Sequence, residues 1–110
     1  MSEALLILTN LPGLAEAETI ARHLVERKLA ACVNILPAVQ SVYRWEGVVE
    51  QASEVTLLIK TTASRYAELE AAIKALHPYA LPEIIAIPIV AGLPAYLNWI
   101  TAETQKDVNV

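Results

Sequence analysis

Apolar residues crowd into "LLILT" at positions 5 to 9, and the same five-residue pattern returns as "LLIKT" at 57 to 61. Runs of this length, rich in branched side chains and closed by turn residues, predict buried strands. After the first copy, "NLPG" supplies a turn. "LAEAETIARHLVERK" then brings Leu14, Ala17, Ala21, Leu24 and Val25 to one side at helical spacing. After the second copy, Tyr66, Leu69, Ile73 and Leu76 recur at helical intervals, with Glu70 four residues ahead of Lys74 in the favourable ion-pair order. That helix must end before Pro78, because a residue preceding proline is pushed out of the helical region. "ACVNILP" and "EIIAIPIV" follow the two helices as further strands. Pro88 marks the second of these as an edge or a bulge, since it cannot donate to a ladder.

Between the halves, "VQSVYRWEGVVEQASEVTLLIK" reads as two extended runs turning near Gly47. Alternation puts Val39, Ser41, Tyr43 and Trp45 on one face and Gln40, Val42 and Arg44 on the other. The order is βαβ, hairpin extension, βαβ and a short C-terminal helix in "PAYLNWITAET". The simplest assembly of two such units is an α+β ferredoxin-like sandwich, with two helices on one face of an antiparallel sheet. The other face is left rich in apolar residues with no helix to cover it, so self-association is expected.

Composition sharpens this. The 110 residues fit one domain, 1–110, and 55% of them are hydrophobic, against about 45–50% in an ordinary soluble domain. The surplus is expected between subunits. A formal net charge of -4 without a Lys/Arg cluster removes the electrostatic footprint of nucleic-acid binding. The longest apolar tract, "IIAIPIVAGLPAYLNWI", is interrupted by Pro88, Gly92, Pro94 and Asn98, so no membrane span is expected. The single cysteine, Cys32, excludes an intrachain disulfide and suits a reducing compartment. A cytoplasmic protein is the expectation.

The motifs "ACVNILP", "SVYRWEG" followed by "EVTLLIKT", "HPYALPEI" and "YLNWI" resemble, in order and over nearly the whole chain, the CutA family of divalent cation tolerance proteins. The resemblance implies a ferredoxin-like subunit, a tightly packed homotrimer similar to the PII signalling proteins, and a link to tolerance of copper and other divalent ions. It implies copper binding as a property of members, a connection of animal relatives to acetylcholinesterase anchoring, and no enzymatic reaction. The family's characteristic positions fall on Cys32 and Asn34, Tyr43 and Trp45, Glu54 and Lys60, His77, Tyr79, Pro82 and Glu83, and Trp99. Thr9 stands where some relatives carry a first-strand cysteine, so the resemblance brings no multi-thiolate site within one subunit.

The candidate chemistry is sparse. There is no C-x-x-C, no H-x-H and no His pair four apart, so one subunit does not make a metal cage. Cys32, His77 and Glu83 are the candidate metal ligands, for copper or another divalent cation, although a lone cysteine on a buried strand, as Cys32 is, is more often a small core hydrophobe. His77 ends a helix, where its charge suits the macrodipole, and Pro78 and Pro82 stiffen the passage that carries it, Tyr79 and Glu83. Tyr43, Trp45, Lys60, Tyr79 and Trp99 are the candidate cleft residues. Phe is absent, and Tyr and Trp carry polar tips that suit interfaces and pocket rims. Lys60 shares a strand face with Glu54, read either as an ion pair or as an anion-binding lysine beside His77. Three functions compete: a non-enzymatic trimeric metal-tolerance protein, a PII-like sensor taking a small anionic molecule between subunits, and an enzyme using His77 and Glu83 as acid and base with Tyr79 as donor. The third lacks a nucleophile, a phosphate loop and a cofactor motif.

Overall fold

The computed structural model describes residues 3–106. Four strands and three α-helices alternate as β1 (Ala4–Leu11), α1 (Leu14–Glu26), β2 (Cys32–Trp45), β3 (Val48–Thr62), α2 (Tyr66–Leu76), β4 (Ile85–Pro88) and α3 (Pro94–Glu103), with a 3-10 turn at Ala63–Arg65 leading into α2. The sheet order is β2-β3-β1-β4, and every neighbouring pair is antiparallel. This is the expected α+β ferredoxin-like sandwich. The two copies of the repeat become the two central strands and pair with each other about Ile7 and Ile59.

Period-two alternation decides which residues enter the core. Leu5, Ile7 and Leu11 of β1 and Val55, Leu57 and Ile59 of β3 pack against Ala17, Ile20 and Leu24 of α1 and Leu69 and Ile73 of α2. Ile20 enters this face, while Leu14, Val25 and Leu76 stay exposed at its margins. Glu70 accepts a hydrogen bond from the Tyr66 hydroxyl at 2.8 Å. Helix α1 stops in a Schellman arrangement: Leu29 N–H donates to Leu24 C=O and Lys28 N–H to Val25 C=O, with Lys28 at φ 59. Helix α2 ends at Leu76, with His77 already extended before Pro78.

The "second strand" and the first hairpin arm are one continuous strand. Within it the register shifts between Leu36 and Val39, where Pro37 and Ala38 together oppose Val55, and Ala38 takes φ 63. A proline is tolerated there because the bulge removes a ladder donor anyway. The bulge changes the alternation: Cys32, Asn34 and Leu36 before it share a face with Val39, Ser41, Tyr43 and Trp45 after it. The hairpin turns at Glu46 and Gly47, with φ 50 and 81, the two-residue turn whose twist matches the strands. Both arms project beyond the end of β1.

The face opposite α1 and α2 is partly covered, contrary to the expectation that no helix remained for it. Helix α3 lies on one end of it, with Ile100 fully buried and the Thr104 and Thr62 hydroxyls 3.5 Å apart. β4 is an edge strand, as Pro88 indicated, and pairs only with β1.

Candidate functional site

Because β1 ends at Leu11 while the hairpin continues, a space opens beside the projecting arms. The segment from Pro78 to Glu83 forms its other wall. The result is a cleft of about 800 Å³ lined by hairpin residues Tyr43, Trp45, Glu50 and Glu54, by Asn10, and by Tyr79, Leu81 and Glu83 from the opposite wall.

His77 anchors that wall. Only 8% exposed, its Nδ1 accepts the Tyr79 N–H at 3.1 Å. The ring proton therefore sits on Nε2, which donates to the Asn10 carbonyl at 2.7 Å. Both ring nitrogens are committed to backbone groups. The imidazole also lies against the Tyr79 ring, centroids 4.9 Å apart. With Pro78 fixing its own φ and holding the preceding His77 extended, the Tyr79 side chain crosses to the hairpin, where its hydroxyl donates to Glu54 Oε2 at 2.9 Å. Burial, then the hydrogen bond and charge of Glu54, push the Tyr79 hydroxyl up to about 12, so it stays a proton donor through neutral pH. Asn10 ties the floor together: its Nδ2 donates to Glu83 Oε1 at 3.2 Å, and its Oδ1 accepts from Thr56.

The remaining candidates lie elsewhere on the same sheet face. Lys60 pairs across the ladder with Cys32, and its ammonium donates to Asn34 Oδ1 and approaches Cys32 Sγ at 3.8 Å. Tyr96 of α3 reaches the same thiol; burial first, and then Cys32, raise its hydroxyl above the ordinary tyrosine range. Trp99 stacks on Tyr96 with centroids 5.5 Å apart. Six residues of strand separate Lys60 from Glu54, about 20 Å at roughly 3.3 Å per residue. The structure thus brings together Tyr43, Trp45, Tyr79 and Glu83 with His77 behind them. It gathers Cys32, Lys60 and Trp99 into a second cluster under α3. Glu54 and Lys60 take different partners rather than each other. Among the described residues no three His, Cys, Asp or Glu side chains converge on a point where a metal ion could be held, so Cys32, His77 and Glu83 do not form one ligand set within a chain.

Glu50 and Asn10 were not singled out by sequence. Glu50 pairs with Tyr43 across the hairpin, so the alternation that flagged Tyr43 could have found it once the turn was placed. Asn10 carries no local signal, because its role comes from lying beside β3 and the His77–Glu83 segment.

Fold and site together define a ferredoxin-like α+β domain with an acidic, aromatic-walled cleft beyond the end of its sheet. Residues 5–103 match the family model described as CutA1 divalent ion tolerance protein. The chain is 48% identical over 98 residues to the divalent-cation tolerance protein CutA of Thermus thermophilus, covering 89% of this chain and 95% of that one. It superposes on the crystal structure of CutA from Xylella fastidiosa with a TM-score of 0.91 at 47% identity, covering 94% of this chain and 100% of that one. The chain belongs to the CutA1 divalent ion tolerance family. Some relatives are longer: the match to the Xenopus laevis CutA homolog, 47% identical, spans 81% of this chain but 59% of that protein. Among the described residues no helix is long and apolar enough to cross a membrane. Relatives occur in more than one compartment, since the Arabidopsis thaliana protein is named chloroplastic and the Archaeoglobus fulgidus structure is described as periplasmic.

Proposed function

We propose that the protein is a non-enzymatic, homotrimeric divalent-cation tolerance protein that takes up copper or another divalent ion at its acidic cleft. One observation carries this reading: the cleft lining contains Glu50, Glu54 and Glu83 and no Lys, Arg or His. Three carboxylates around a partly enclosed space concentrate cations and repel anions. A small anionic ligand is correspondingly disfavoured, because Lys60, the cation it would need, is engaged at the other end of the face. Acid–base catalysis by His77 and Glu83 finds little support, since the imidazole is held by two backbone groups and Glu83 by Asn10.

Carboxylate oxygens of one chain make an incomplete shell, so a tight site draws ligands from more than one subunit. Support for assembly comes from the exposed apolar side chains of the hairpin and of the segment after β4: Val42, Val49, Val90 and Leu93 are 67%, 62%, 93% and 71% exposed. His77 then acts by fixing the cleft wall, and Cys32 is a separate soft donor suited to the reduced copper ion. The lone thiol fits a reducing compartment such as the cytoplasm.

Calorimetry with copper(II) and zinc chloride on the assembled protein tests the reading. The parent binds saturably, and the Glu50→Gln/Glu83→Gln double variant loses affinity by about tenfold or more, as expected when charged ligands become neutral. Cys32→Ser keeps its copper(II) affinity. Unchanged affinity in the double variant would exclude the cleft as the cation site.

A further inference from the structure

Glu54 is the anomaly of the cleft. The residue is more than nine-tenths buried, at 8% exposure, it lines the cavity, and among the described residues its side-chain hydrogen bond comes from the neutral Tyr79 hydroxyl alone. Removing a carboxylate from water costs several kcal/mol, and one phenol offsets only part of that. The nearest cation on its own strand face, Lys60, is turned to Asn34 and Cys32. A buried carboxyl group with no cationic partner among the described residues, opening onto a cavity, is placed to meet a cation from outside.

The walls say which kind. Tyr43, Trp45 and Tyr79 bring three aromatic rings to the cavity, with Leu81 beside them. The electron-rich faces of Trp and Tyr attract a cation, most effectively one that is weakly hydrated and carries hydrocarbon. A metal ion gains nothing from an apolar wall. The volume, about 800 Å³, is that of a small organic ligand site, commonly about 300–1,000 Å³.

We propose that the cleft binds an organic ammonium ion, a primary amine whose N–H donors meet Glu54 while its hydrocarbon lies among Tyr43, Trp45 and Tyr79. This rests on the cation reading of the same cleft and names a second chemical class for it. Tyr79 holds one oxygen of Glu54 and leaves the other for the ligand. Glu50 and Glu83 add long-range attraction at the mouth. The alternative occupant is a basic side chain of a second copy of the chain, which would fill the cleft in the assembled protein and shut the amine out.

The test is calorimetry of the full-length assembled protein with n-butylammonium chloride, with n-butanol as the neutral analogue of similar shape and sodium chloride as the salt control. Butylammonium binds saturably and butanol does not. Glu54→Gln weakens the ammonium by about tenfold or more, the loss expected for a charge-assisted hydrogen bond in a buried site. Trp45→Leu, which does not touch the buried charge and keeps the protein measurable should Glu54→Gln fail to fold, weakens it by roughly two- to thirtyfold through the lost ring face. The proposal is overturned if butylammonium does not bind, if butanol binds equally well, or if Trp45→Leu binds butylammonium as the parent does. A parallel zinc titration separates the two readings. Zinc binding without butylammonium binding sinks the amine proposal alone, the reverse sinks the metal reading alone, and failure of both ligands removes the cleft as a cation site.

Discussion

Tyr79 and Tyr66 show how one hydroxyl records its surroundings. Both are pushed up to about 12 from the ordinary 10.0, by burial first and then by Glu54 and Glu70 respectively. A tyrosine is neutral when protonated, so a raised value means that the folded chain holds the proton more tightly than the unfolded one. The stabilisation is complete below pH about 10 and is lost as the pH rises from there toward about 12. Urea denaturation across this window shows a falling midpoint, and Tyr79→Phe flattens part of the fall. An equally steep fall in the Tyr79→Phe/Tyr66→Phe double variant would rule out this origin. Thr9 carries the opposite lesson. Fully buried in β1, its Oγ1 has no hydrogen-bond partner among the described residues, and an unsatisfied buried hydroxyl costs about 1–3 kcal/mol. Thr9→Val, which exchanges that hydroxyl for a methyl group, is expected to raise stability by about 1 kcal/mol, read as a higher denaturation midpoint with an unchanged slope.

At the scale of elements, the hairpin and its bulge build the cleft. The arms must extend past β1 to leave a space, and the bulge at Pro37 and Ala38 must change the alternation so that Tyr43, Trp45 and Glu54 share one face. The turn is under local strain, because Glu46 occupies a left-handed position at φ 50, where a residue with a Cβ pays about 1–2 kcal/mol and asparagine pays less. Glu46→Asn therefore stabilises the chain by about 0.5–1 kcal/mol, visible in thermal melts, and leaves the proposed cation binding unchanged because Glu46 is outside the cleft lining. The helices were legible from Leu69, Ile73, Ala17 and Leu24 at helical spacing, and the stop of α2 from Pro78. The merging of two predicted strands into β2 was not. Pro37 looked like an end, and only its position opposite Val55 makes it a bulge.

For the whole molecule, the exposed apolar hairpin and the segment following β4 bear on assembly. Val42 and Val49 are large exposed positions on the projecting arms, so the double variant Val42→Lys/Val49→Lys is expected to dissociate the proposed trimer at micromolar concentration while keeping the far-ultraviolet spectrum of the parent. Light scattering that returns the same mass for both proteins would show that the arms are not the interface. The chain's periodicities by themselves determined the alternation of strands and helices and most of the helix core faces, because alternation and helical spacing are local properties that burial acts on directly, and Pro88 narrowed β4 to an edge or a bulge. The repeat pointed to two similar halves, and the motif order to the family. Tertiary structure alone decided that α3 covers part of the second sheet face, that Lys60 joins Cys32 rather than His77, and that Glu54 meets Tyr79 from a segment twenty-five positions away. Those partnerships depend on strand register and on where β1 stops relative to the hairpin, quantities set by long-range pairing of the backbone and carried by no short stretch of sequence.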